Sequence, residues 1–136
     1  MRDNLNVSYE NNGTYATKLF ANKAVKIIDE HDQTQPLFLY LPHLAPHTAN
    51  EDHPLQAPDD VLKEFAYIKD ENRRKYAAMV SLLDKAVGDV IDALDKKNML
   101  NNSIILFFSD NGAPIEGINS NSGTNFPFRG VSLNLT

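Results

Sequence analysis

The stretch Ile104-Ile105-Leu106-Phe107-Phe108-Ser109-Asp110-Asn111-Gly112 decides how this chain is read. Five consecutive apolar residues predict a strand buried on both faces. The run stops at a polar turn. In open α/β sheets, ligands bind just beyond the carboxyl ends of the strands, so Asp110 and Asn111 stand where such folds place their chemistry. Both offer oxygen donors of the kind that Ca²⁺ or Mg²⁺ takes, and Gly112 lets the backbone turn tightly beside them. On residue chemistry alone, an Asp-Asn-Gly turn that merely closes a core strand is the commoner reading.

On the N-terminal side, Pro36 opens a second apolar run, Leu37–Leu41, and a loop from Pro42 to about Ala57 follows it. That loop carries three of the four histidines, and loops of such length inside compact domains are usually functional or disordered. Thr14 is placed to cap a helix over roughly 15–30, with Leu19, Phe20, Ala24, Ile27 and Ile28 on one face. Pro58 suits the first turn of a short helix through Phe65. Tyr76, Val80, Leu83, Val87, Val90 and Leu94 recur at three- and four-residue steps and predict a long helix from about Asp70 to Lys97. Helix, strand, loop, long helix, strand is the order of an α/β protein, so the expected fold is part of a mostly parallel sheet flanked by helices. Two strands cannot form a parallel sheet covered on both faces, which marks the chain as a piece of a larger sheet.

The bulk properties narrow the partners. The 136 residues are 42% hydrophobic and 23% charged, values of a globular domain, and the net charge is −5. No basic stripe is present to neutralise phosphates, which argues against nucleic acid and against an anionic membrane surface. There is no cysteine, hence no disulfide, thiolate metal site or cysteine nucleophile. No stretch is long and apolar enough to span a bilayer, and the first residues lack a signal-peptide core. Four N-x-[ST] sequons, at Asn6, Asn12, Asn101 and Asn134, are candidate glycosylation sites.

Among the histidines, His43 and His47 form an H-x-x-x-H pair, but Pro46 lies between them and breaks any helix that would put both rings on one face. His47 matters for another reason. It follows the first strand as Asp110 and Asn111 follow the second, so parallel neighbouring strands would bring all three to one rim. A histidine there would bind an anion or donate a proton. A solvated histidine in a loop is an equally good reading of the residue by itself. No Gly-rich phosphate loop and no G-x-S-x-G elbow occurs.

Five blocks, PLFLYLPHLAPH (36–47), HPLQAP (53–58), NRRKYAAMVSLLDKAVGDV (72–90), NNSIILFFSDNGAP (101–114) and NFPFRG (125–130), together resemble the sulfatase family, in particular its arylsulfatase B (N-acetylgalactosamine-4-sulfatase) type and insect relatives. The resemblance implies an alkaline-phosphatase-like α/β fold and a lysosomal or secreted parent enzyme. It further implies Ca²⁺-dependent hydrolysis of sulfate esters, on sulfated glycosaminoglycans or aryl sulfates. By it, Asp110 and Asn111 are calcium ligands and His47 is the catalytic and substrate-binding histidine. Three departures stand against activity in this chain. The C/S-x-P-x-R motif that yields formylglycine is absent, the family's early Asp-Asp pair is absent, and Ser132 stands where a sulfate-binding Lys is expected. Residues 1–130 are therefore expected to be an internal portion of a sulfatase catalytic domain, inactive alone, with 131–136 a tail foreign to the family. The alternative is a non-catalytic product, either a glycan-binding decoy or a sulfatase-associating protein.

Overall fold

A computed structural model of the chain describes residues 2–3, 6–7, 9–114 and 120–128. Two short strands, β1 (Arg2–Asp3) and β2 (Asn6–Val7), pair antiparallel, with Arg2 opposite Val7 and Asp3 opposite Asn6. Helix α1 spans Ala16–Glu30, α2 Asp59–Glu64 and α3 Glu71–Lys96, and a 3₁₀ turn follows at Leu100–Asn102.

Helix boundaries follow local chemistry. At the start of α3, Asp70 accepts the Arg73 N–H at 2.7 Å and satisfies one of the open donors of the first turn. At its end Asn98 takes a left-handed backbone, φ 56°. The Asn98 N–H reaches the Asp95 carbonyl and the Met99 N–H that of Leu94, both at 2.8 Å, and Met99 packs on the cluster containing Leu94. That is the Schellman arrangement with its apolar contact. The cap position of α1 is Tyr15, one residue later than the expected Thr14, and it makes no side-chain cap bond. The helix stops before an Asx turn in which Asp32 accepts from the backbone and hydroxyl of Thr34.

Helices α1 and α3 pack through small residues. Ala21 and Ala24 on α1, and Ala78, Ala86 and Ala93 on α3, are buried, with Leu19, Ile28, Met79, Leu82 and Leu94 filling the gaps. The buried stripe of α3 overlaps the predicted one only in part: Ala78, Met79, Leu82 and Ala86 are inside with the expected Leu94, Leu83 and Val90 are half-buried against the clusters, and Val80 is exposed. Likewise Ile27 of α1, expected inside, is exposed. A second cluster seats the long loop on α3 through Ala45, Leu55 and Met79, and a third holds α2 through Val61, Ala78 and Leu82.

The expected α/β fold with a mostly parallel sheet is overturned: among the described residues the only sheet is the β1–β2 pair, and the architecture is helical. Leu37–Leu41 and Ile104–Phe108 belong to no helix or sheet. Leu37 and Leu39 pack on the Ile28–Ala93–Leu94 cluster, while Phe38 and Tyr40 stand 92% and 73% exposed. All five residues of 104–108 are exposed, from 47% to 92%. The physical reason is that a helix closes its hydrogen bonds within its own segment, whereas a strand needs a lateral partner. Apolar composition alone supplies none. No described helix is long and apolar enough to cross a membrane. Asn134 and the segment 131–136 lie outside the described residues, as do Arg129 and Gly130.

Candidate functional site

Two polar segments follow the two unpaired apolar runs, and they are the chain's candidate site. The first is the long loop. Its backbone is pinned locally: the His47 N–H donates to the Leu44 carbonyl at 2.8 Å and the Ala49 N–H to that of Pro54 at 2.7 Å. Tyr15 reaches across from the start of α1 to the Gln56 carbonyl at 3.1 Å, and burial pushes the Tyr15 phenol above its ordinary value. His47 is exposed, and its Nδ1 lies 2.6 Å from the Thr48 carbonyl. A carbonyl only accepts, so Nδ1 carries the proton and Nε2 is the ring's accepting nitrogen in the neutral form. His43 is the opposite case. Both of its ring nitrogens are buried without a hydrogen-bond partner among the described residues, and burial holds the imidazole below its usual pKa.

The second segment is the turn 109–114. Ser109 donates to the Asn111 carbonyl at 2.6 Å and the Asn111 amide to the Gly112 carbonyl at 2.8 Å, so the turn is folded on itself. Asp110 and Asn111 remain exposed. No hydrogen bond or ion pair joins either of them to His47 among the described residues. What links the two segments is residues 120–125. Buried Asn121 donates its backbone N–H to the Pro114 carbonyl at 3.2 Å and its side-chain amide to the Pro46 carbonyl at a long 3.5 Å. Asn125 both accepts from and donates to the backbone of Ala113. Sequence reasoning misses these asparagines because the Gly/Asn/Ser-rich tail has no periodicity. Their one visible signal is side-chain chemistry that pairs with backbone at short range.

The expected calcium site is overturned. Ca²⁺ takes roughly 6–8 oxygen ligands, and the described residues contain no group of three or more His, Asp or Glu side chains placed to hold a metal ion. Asp110 and Asn111 belong to no such group among the described residues.

The family model for Sulfatase matches residues 1–131. Mouse arylsulfatase J is 42% identical over 129 residues, which is 94% of this chain and 20% of that protein. An uncharacterized sulfatase of Escherichia coli, YdeN, is 36% identical over 104 residues, 76% of this chain and 18% of its own length. Among solved structures, Ps i-CgsB in complex with k-i-k-neocarrahexaose superposes with a TM-score of 0.73 at 39% identity, over 83% of this chain and 23% of that one. The chain thus spans about a fifth of the length of the curated relatives it matches.

These findings correct several expectations. The narrower likeness to the arylsulfatase B type gives way to the sulfatase family as a whole, with the structural match lying on i-CgsB. Calcium-dependent sulfuric ester hydrolysis as this chain's function is likewise overturned, since neither the sheet nor the metal cluster it requires is assembled by the described residues. The expected partners, a sulfated glycosaminoglycan or aryl sulfate, are overturned as well: the matched solved structure, i-CgsB, holds a neocarrahexaose.

Proposed function

Because the chain belongs to the sulfatase family, we propose that it is a family segment that binds carbohydrate without performing catalysis itself. The observation that carries this reading is the superposition on a protein solved with k-i-k-neocarrahexaose. The two polar segments supply suitable chemistry. The amide of Asn111, the carboxylate of Asp110 and Nε2 of His47 are exposed donors and acceptors that match the paired hydroxyls of a sugar ring. Titrating k-i-k-neocarrahexaose into the 136-residue chain by calorimetry should give a saturable signal that weakens in Asn111→Ala and His47→Ala. Absence of saturable binding in the unsubstituted chain would remove the reading.

A second reading, association with another sulfatase-family chain, is favoured by the five exposed apolar residues of 104–108. Unpaired backbone beside apolar side chains is a template for strand addition. Mixing the chain with mouse arylsulfatase J from which the matched region has been deleted should yield a complex on gel filtration. No co-elution would end this reading. The exposed sequons Asn6, Asn12 and Asn101 accord with a lysosomal or secreted route for the longer protein, and a mobility shift on deglycosylation of the secreted material is the corresponding check.

A further inference from the structure

The segment 120–125 has no part in the reading above, yet it gathers a dense set of long-range polar contacts. Arg73 of α3 donates to the Ser122 carbonyl at 2.5 Å and lies over the Tyr76 ring, 5.5 Å from its centre. Ser122 is held in a left-handed backbone, φ 61°, a conformation that persists where the surroundings over-determine it. Gly123 is packed so closely that a Cβ there would lie 2.8 Å from Ala113 Cβ, 2.8 Å from Asn121 Oδ1 and 3.0 Å from the Tyr76 hydroxyl. Asn121 Oδ1 accepts the Gly123 N–H at 2.9 Å. Asn125 Oδ1 accepts the Ala113 N–H at 2.7 Å, and its Nδ2 donates to the Ala113 carbonyl at 2.8 Å. Both polar groups of one backbone residue are therefore satisfied by one side chain.

We propose that residues 121–125 are a clasp, anchored on α3 by Arg73 and Tyr76, that fixes the Asp110–Asn111 turn relative to the His47 loop. Asn125 and Asn121 are its positioning residues: Asn125 grips the turn two residues beyond Asn111, and Asn121 reaches both Pro114 and Pro46, the residue before His47. The segments themselves have no sheet beneath them in the described residues; the loop is seated on α3 through Ala45, Leu55 and Met79, and the clasp ties the turn to it. A ligand that touches both segments binds a preorganised pair only while the clasp is closed. The ligand half of this inference rests on the carbohydrate reading.

The test uses the 136-residue chain with Asn125→Ala and, independently, Asn121→Ala. Amide NMR shifts report the geometry, calorimetry with k-i-k-neocarrahexaose reports binding, and far-UV melting reports the helices. With the clasp opened, the amides of both 109–113 and 45–48 should shift together, and affinity should fall about tenfold, as expected for two lost hydrogen bonds. The helical melt should stay in place. Shifts confined to 109–113 in both variants would overturn the clasp. Unchanged affinity despite coupled shifts would overturn its positioning role. Should the unsubstituted chain bind no hexaose, the carbohydrate reading fails by itself, and the coupled shifts still decide for or against the clasp.

Discussion

The α1–α3 pair and the segment 104–108 are both rich in apolar residues, and they meet opposite fates. Ile28 on α1 and Ala78 on α3 are fully buried, whereas Ile104, Leu106, Phe107 and Phe108 are each at least 70% exposed. Hydrophobic content does not separate them. Hydrogen-bond locality does: helices complete their backbone pairing before packing, then need only one complementary stripe. The apolar run 104–108 has to find both a lateral partner and two covering layers. Within the described residues it finds neither, while Leu37–Leu41 finds one layer through Leu37 and Leu39.

The buried side of this contrast offers the heaviest perturbation. Ile28→Ala should destabilise the helical signal by about 2–5 kcal/mol in a urea melt, the range for emptying a packed aliphatic site. A loss no larger than that of an exposed site would mean the helix pair is not a fixed core. Next, Ala78→Leu places a large side chain at a fully buried position where α2 and α3 meet, and should cost about 1–3 kcal/mol. If it is neutral, the close alanine packing is not maintained in solution. Removing the α3 cap with Asp70→Ala should cost about 1 kcal/mol, and Asp70→Asn should recover most of it.

A smaller, pH-dependent effect belongs to His43. Its folded-state pKa is depressed because burial disfavours the imidazolium. As pH falls through the ordinary histidine value, near about 6.5, the unfolded chain takes up a proton that the folded chain refuses. Stability therefore declines on acidification until the folded ring also protonates. His43→Leu should flatten that part of the stability–pH curve, and an unchanged slope would place the titration elsewhere. Smallest of all on stability is Phe107→Ser, expected within about 0.5 kcal/mol because its side chain is already in water. Its solubility should nevertheless rise, since an exposed unpaired apolar run favours association. A large destabilisation there would show that 104–108 is covered after all and would erase the contrast.

The legible parts of the sequence are those whose signal is local. The three α-helices among the described residues are readable within a few residues, because a stripe at 3.6-residue spacing, Pro58 and Asp70 each act on their own turn. The facing of α3 is legible only in part: Leu94 is inside and Leu83 and Val90 pack on the core as the periodicity predicts, but a periodic reading follows the large side chains and passes over the buried Ala78, Ala86 and Ala93. At the site, Asp110, Asn111 and His47 are legible as exposed polar groups after apolar runs, but the metal cluster expected around them is not assembled by the described residues. Asn121 and Asn125 escape a periodic reading, since an asparagine that bonds a backbone 12 residues away leaves no periodic trace.

The helices, the Asp70 cap of α3 and the sulfatase-family blocks are thus written in the chain itself, because each depends on residues that are near neighbours along it. Three features depend on the folded arrangement instead: which stripe of α3 is inside, the unpaired state of the two apolar runs, and the tie that residues 121–125 make between the two polar segments. Each needs a partner distant in sequence, and no local pattern encodes whether that partner is there.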